Sequence, residues 1–74
     1  MSIMKMQNRS NHMFSKAITA CKMAFGCICT PTDDIVYIVS FEKGDEAIIR
    51  DTLECAGSQF LGVCSQTEYL EVFA

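Results

Sequence analysis

Five cysteines and one histidine are the side chains most capable of chemistry in this 74-residue chain. Cys27 and Cys29 form the only close pair, a spacing that raises the question of a zinc site or a redox disulfide. A tetrahedral zinc site needs four converging ligands, and a single intervening residue strains a disulfide bridge. His12 lies half a helical turn out of phase with Cys21, so the two do not form a Cys–His nucleophile pair within one helix. We therefore expect buried thiols, with a metal or redox site at Cys27 and Cys29 as the alternative.

Adjacent carboxylates are the second feature that could do chemistry. Asp33 with Asp34, and Asp45 with Glu46, are pairs of the kind that bind divalent metals or act as general acid and base. Neither pair has the spacing of a calcium loop, and both fall where turns and helix starts favour acidic residues. The four glycines form no phosphate-binding cluster. The sequence thus predicts no catalytic site and no cofactor, and we expect that the protein is not an enzyme.

Charge is divided sharply along the chain. Residues 1–32 contain four basic and no acidic residues, whereas residues 33–74 contain nine acidic and two basic residues, so the two parts carry +4 and −7. Such segregation governs encounters with partners. The negative part would repel a nucleic-acid backbone, so we expect a protein partner with a basic surface and no direct nucleic-acid binding. The candidate partner-binding residues are Asp33, Asp34, Glu42, Glu46, Asp51 and Glu54.

No segment of the chain has the pattern of a targeting signal or a membrane span. The first residues lack the apolar region of a signal peptide, and the longest strongly apolar run, Ile35 to Val39, is too short to cross a bilayer. The odd number of cysteines also differs from a secreted disulfide framework. We expect a cytoplasmic protein that makes no membrane contact.

Helical periodicity predicts two helices that would position these residues. The first begins at Ser10 or Asn11 as N-cap and ends at Gly26, with apolar residues recurring every three or four positions. The second begins at Asp45 and ends at Gly57, and it leaves most of its charged residues towards water. Residues 1–9 show no convincing period and are expected to be a flexible lead-in.

Strand patterns complete the predicted domain. In Ile35–Phe41 both the odd-numbered and the even-numbered positions are apolar, as in a central strand that is covered on both faces. The other two predicted strands are Phe60–Cys64 and Tyr69–Phe73, and Cys27–Cys29 could form a further, very short strand. We expect one α/β (α+β) domain over residues 10–74, in the order α-β-α-β-β. Its three-stranded mixed sheet packs with two helices.

One face of this sheet is a candidate apolar interface. If both helices pack on the same side, the opposite side shows a row of aromatic residues to water, which would serve as a second contact or as the seam of a homodimer. If the first helix crosses to that side, the same residues are core. The residues concerned are Tyr37, Phe41, Tyr69 and Phe73.

Taken together, these features predict a small acidic interaction module that inhibits or regulates a basic, nucleic-acid-handling protein by steric and electrostatic blocking. Small acidic domains of this type are common among phage-encoded inhibitors of host defence, including anti-CRISPR proteins, although no motif here assigns the chain to a family. Two alternatives stay open. One is the thiol-based site at Cys27 and Cys29, and the other is a structural homo-oligomeric subunit that binds no ligand and whose acidity only maintains solubility.

Overall fold

The computed structural model describes all 74 residues, which form four strands and three helices. In chain order the elements are β1 (Ser2–Gln7), α1 (His12–Phe25), β2 (Ile28–Pro31), β3 (Ile35–Ser40), α2 (Asp45–Cys55), β4 (Phe60–Cys64) and α3 (Gln66–Phe73). None of the three helices combines the length and the apolar character needed to cross a membrane.

The four strands form one antiparallel sheet in the order β2-β3-β1-β4. α1 connects β1 to β2, and α2 connects β3 to β4, and in each case a third strand lies between the two that are connected. This β-α-β-β-α-β order is the split β-α-β, or ferredoxin-like, connectivity. Because common architectures host many unrelated functions, the topology alone assigns no activity.

Different helices cover the two faces of the sheet. α1 and α2 pack together on one face, over a core that includes Met6, Ile38 and Leu53. α3 covers the other face, where a smaller core contains Tyr37 and Cys64. Successive residues of a strand point to opposite faces, so β1 and β3 contribute side chains to both cores.

The mixed α+β class is confirmed, and α1, α2, β3 and β4 lie where the sequence predicts them. The sheet has four strands rather than three and is antiparallel rather than mixed, and there are three helices rather than two. β3 and β4 run parallel to each other, as a β-α-β crossover requires, but β1 lies between them and pairs antiparallel with both.

The N-terminal segment corrects one expectation. The sequence predicts a flexible lead-in over residues 1–9, whereas the structure places β1 there, in the centre of the sheet. Met4 and Met6 face the α1–α2 side and Ile3 faces the α3 side, and all three are buried. Met4 to Gln7 alternates apolar and polar residues, but this run is only four residues long, and the adjacent apolar pair Ile3 and Met4, buried on opposite faces, interrupts it. The domain therefore includes these residues.

The C-terminal segment corrects a second expectation. Tyr69–Phe73 has the aromatic and β-branched composition typical of a strand, but it forms the second part of α3. Ser65 is the N-cap of this helix, and its hydroxyl accepts a hydrogen bond from the main-chain N–H of Glu68 at 3.1 Å. A serine followed three residues later by a glutamate is the capping-box sequence, which favours a helix start at this position.

The ends of α1 follow the sequence signals closely. Of the two N-cap candidates the structure selects Asn11, whose side-chain Oδ1 accepts a hydrogen bond from Phe14 N at 2.8 Å. At the other end Gly26 adopts a left-handed conformation with φ of 64°, and its N–H donates to the carbonyl of Lys22. A residue with a Cβ is strained at this φ, which is why glycine ends the helix here.

Candidate docking surface

The charge division of the sequence persists in the layer formed by α1 and α2. α1 exposes Lys16 and Lys22 and contains no acidic residue, whereas α2 contains four carboxylates and one guanidinium. The two helices pack against each other on the same face of the sheet. The structure has two ion pairs, one between β1 and α3 and one within α2, so none joins α1 to α2. The layer is therefore basic along α1 and acidic along α2.

Three of the six predicted carboxylates meet in one groove between α2 and β4. Glu46 and Glu54 lie along one side of α2, and Asp51 lies on the adjacent stripe of the same helix. Phe60 and Val63 of β4 form the opposite wall. The groove has a volume of about 450 Å³, and we refer to it as the α2–β4 groove.

Arg50 is the one basic residue that lines the α2–β4 groove. Its guanidinium lies 4.0 Å from the centroid of the Phe60 ring, and its Nε lies 3.4 Å from Glu54 Oε1. These contacts hold Arg50 between α2 and β4, while Glu46 and Asp51 form no ion pair. With three carboxylates and one guanidinium the groove has a net charge of −2, and two carboxylates can pair with cations from outside.

The other three predicted carboxylates lie elsewhere. Asp33 and Asp34 are exposed in the turn between β2 and β3, at the edge of the sheet away from β4. Glu42 is exposed in the loop before α2, where its carbonyl accepts hydrogen bonds from Asp45 N at 3.2 Å and Ser40 Oγ at 3.3 Å. Three of the six residues thus lie outside the α2–β4 groove, and the candidate site is taken as the three on α2.

The predicted apolar interface is also divided. Tyr37 is buried beneath α3, where its ring packs edge-to-face against Phe73 and Tyr69, with centroid distances of 5.1 and 6.1 Å. The hydroxyls of Tyr69 and Thr30 lie 3.2 Å apart and share a hydrogen bond. These three rings form an internal cluster rather than an open surface, because α3 brings its own aromatic residues to the sheet. Phe41, which follows β3, is exposed.

Cys27 and Cys29 come together, with sulfur atoms 3.8 Å apart. Burial raises the pKa of the Cys29 thiol to about 12, and the neighbouring Cys27 adds to the shift. Burial likewise raises the pKa of Cys21. A raised pKa lowers the fraction of thiolate at neutral pH, and because the thiolate is the nucleophilic form, Cys29 and Cys21 are poor nucleophiles here. No three His, Cys, Asp or Glu side chains converge as metal ligands would.

Five residues of the α2–β4 groove are absent from the sequence-based set, namely Met4, Ala47, Arg50, Phe60 and Val63. The spacing Glu46-x₃-Arg50-x₃-Glu54 is a helical pattern that could have placed Arg50 among the carboxylates. Met4, Phe60 and Val63 carry no such signal, because their position beside α2 depends on how β1 and β4 pair.

Comparison with known proteins adds no assignment. No protein-family model, curated protein or solved structure matches the chain. The function is therefore argued from the geometry and charge of the groove.

Proposed function

We propose that this protein is a small, non-enzymatic interaction module of the cytoplasm that docks through the α2–β4 groove on a protein with a basic surface. The partner handles nucleic acids, and docking inhibits it, in the manner of phage-encoded inhibitors of host defence such as anti-CRISPR proteins. One observation supports this above the others. Glu46, Asp51 and Glu54 line a single groove in which only Arg50 opposes them.

Electrostatic complementarity supplies the mechanism. Proteins that bind nucleic acids present lysine and arginine to phosphate groups, and the carboxylates of the groove can pair with the same side chains. The overall charge of −3 adds long-range attraction to a basic surface. The basic residues of α1 are repelled by that surface, so the molecule approaches with α2 foremost. Bound in this way, the domain blocks access of nucleic acid to the partner.

Capture from a cytosolic extract, compared among three immobilised proteins, tests the proposal. These are the unmodified protein, a triple variant with Glu46→Gln, Asp51→Asn and Glu54→Gln, and a control with Asp33→Asn and Asp34→Asn. The control removes two exposed carboxylates at the far edge of the sheet, so it separates the groove from general acidity. Each captured protein is identified by mass spectrometry, purified, and assayed for nucleic-acid binding with and without this domain.

We expect a basic protein to bind the unmodified domain and the control but not the triple variant. Because salt screens exposed charges beyond a Debye length of about 10 Å at 0.1 M, its release as the salt concentration rises is also expected. The purified partner should bind its nucleic acid more weakly when the domain is present. Equal capture by all three proteins, or undiminished nucleic-acid binding by the partner, would contradict the proposal.

A structural role in a homo-oligomer is the second candidate, and an apolar groove beside α3 favours it. The groove has a volume of about 240 Å³, and its lining includes the exposed side chains of Met1, Ile28, Phe41 and Leu70. Self-association would bury this apolar surface. Sedimentation equilibrium of the unmodified protein and of Phe41→Ser tests it. A dimer that weakens in Phe41→Ser supports this candidate, and a monomer at every concentration rejects it.

A further inference from the structure

β4 is an open edge of the sheet. It pairs only with β1, and the main chain of residues 60–64 forms no hydrogen bond outside that pairing. Its outward N–H and C=O groups are therefore available to another strand. Proteins usually protect such edges with charged residues or proline, and β4, with the sequence Phe-Leu-Gly-Val-Cys, has neither.

The opposite edge provides a contrast within the same molecule. β2 has only four residues and includes Pro31, which removes one main-chain donor. On β4, by comparison, Val63 is 73% exposed and Leu61 is 44% exposed. A bulge at Leu61 is the one irregularity in its pairing with β1, and the register from Gly62 to Cys64 is regular. The β4 edge is thus open, apolar and accessible.

We infer that β4 accepts an extended basic segment of the partner as a fifth strand, whose lysine or arginine side chains reach the carboxylates of α2. The geometry supports this because the β4 edge and the acidic residues border the same α2–β4 groove. In an added strand, alternate side chains point to the side occupied by α2, where Glu46 and Asp51 are unpaired. Main-chain hydrogen bonds would supply affinity, and the carboxylates would select a basic sequence. The charge of this occupant rests on the proposed function, whereas the strand pairing does not.

A second copy of this chain fits the edge less well. Antiparallel pairing of β4 with β4 would extend one sheet across two molecules and place both α2 helices on the same side of it. Each groove has a net charge of −2, so the two acidic helices would repel each other. A basic strand meets no such repulsion, and charge complementarity favours it as the occupant.

Three short acetylated peptides test the inference on the full-length protein. The first alternates lysine and valine. The second has the same sequence but carries an N-methyl group on every main-chain nitrogen, which keeps the charge and blocks strand pairing along both edges. The third alternates glutamate and valine. Affinity is measured by titration calorimetry, and amide hydrogen exchange is followed at β4, with β2 as the internal reference.

We expect the lysine–valine peptide to bind and to slow exchange at residues 60–64 but not at β2. Because it cannot form the main-chain hydrogen bonds, the N-methylated peptide should bind with an affinity lower by about tenfold or more, and the glutamate–valine peptide should not bind. Val63→Lys should lower the affinity for the lysine–valine peptide by about tenfold, since it adds a positive charge at the groove wall. Val63→Thr adds no charge and should leave this affinity unchanged.

Each other result overturns the inference. Absence of binding by the lysine–valine peptide, or equal binding by its N-methylated form, rejects strand addition but leaves the acidic groove as a docking surface. Equal binding by the glutamate–valine peptide rejects a basic occupant and with it the electrostatic basis of the proposed function. Protection of β4 without peptide, in a protein that dimerises with concentration, assigns the edge to a second copy of the chain.

Discussion

Replacement of Met6 by alanine tests whether the N-terminal segment is the centre of the sheet. Met6 has no exposed surface and packs in the core beneath α1 and α2. Truncating a fully buried methionine costs about 2–5 kcal/mol, from lost apolar burial and from the cavity that remains. A domain of this size is expected to have a free energy of unfolding near the low end of about 5–15 kcal/mol, so Met6→Ala should lose a large part of it.

The same chain offers a matched control. Met23, on α1, is 83% exposed, so Met23→Ala should change the free energy of unfolding by no more than about 0.5 kcal/mol. Urea unfolding followed by far-UV circular dichroism measures both variants. For a domain of this length each kcal/mol corresponds to about 4–8 °C in Tm, so Met6→Ala should melt at least about 8 °C lower. A loss no larger than that of Met23→Ala would refute the central position of β1.

Three further changes have expected outcomes. Asn11→Ala should lower the free energy of unfolding by about 1 kcal/mol, because it removes the side-chain acceptor for Phe14 N. Ser10→Ala, the control, should leave the free energy of unfolding unchanged. Equal effects of the two substitutions would contradict the assignment of Asn11 as the N-cap. Gly62→Ala should lower the free energy of unfolding in urea by about 1–3 kcal/mol, because a residue with a Cβ is strained at the φ of 135° found here. A steric clash does not contribute, since the atom nearest to the new Cβ lies 4.0 Å away. An unchanged unfolding midpoint would reject backbone strain. The pKa of Cys29 is raised from 9.0 to about 12, so between these pH values the thiol ionises in the unfolded chain but not in the folded protein, and the free energy of unfolding falls as the pH rises. The Tm of Cys29→Ser should therefore fall less than that of the unmodified protein over this pH range. An equal fall in both proteins would contradict the shift.

The elements that the sequence predicts well are those with strong local signals. α1 has an apolar stripe, an asparagine N-cap and a terminal glycine, and its bounds differ little from the expectation. β4 occupies the predicted residues, Phe60–Cys64. In α2 the periodicity is equally clear, although Gly44 rather than Asp45 is the N-cap and no side chain bonds to the first turn. Local sequence pattern is sufficient to predict a helix or strand where the capping residues, the hydrophobic periodicity and the residues that end the element all indicate the same assignment.

The two wrong assignments have distinct physical causes. β1 is covered on both faces, so its alternation is limited to Met4–Gln7 and is interrupted by the buried pair Ile3 and Met4, which leaves only a weak strand signal. α3 has the composition of a strand, and its helical state depends on Ser65 and Glu68 at the N-terminus and on packing of Tyr69 and Phe73 against the sheet. The capping box was readable in the sequence, whereas the packing was not.

By itself the sequence determined that this protein is a mixed α+β domain and that one of its helices, α2, is acidic, because periodicity and charge are properties of neighbouring residues. Only the tertiary structure decided which carboxylates lie in one groove. Because Tyr69–Phe73 is helical, no strand pairs with the outer side of β4, which is an edge strand and forms a groove with α2 that gathers Glu46, Asp51 and Glu54. The same packing leaves Asp33 and Asp34 at the other edge, because strand pairing joins residues that are distant in sequence and that no local pattern relates.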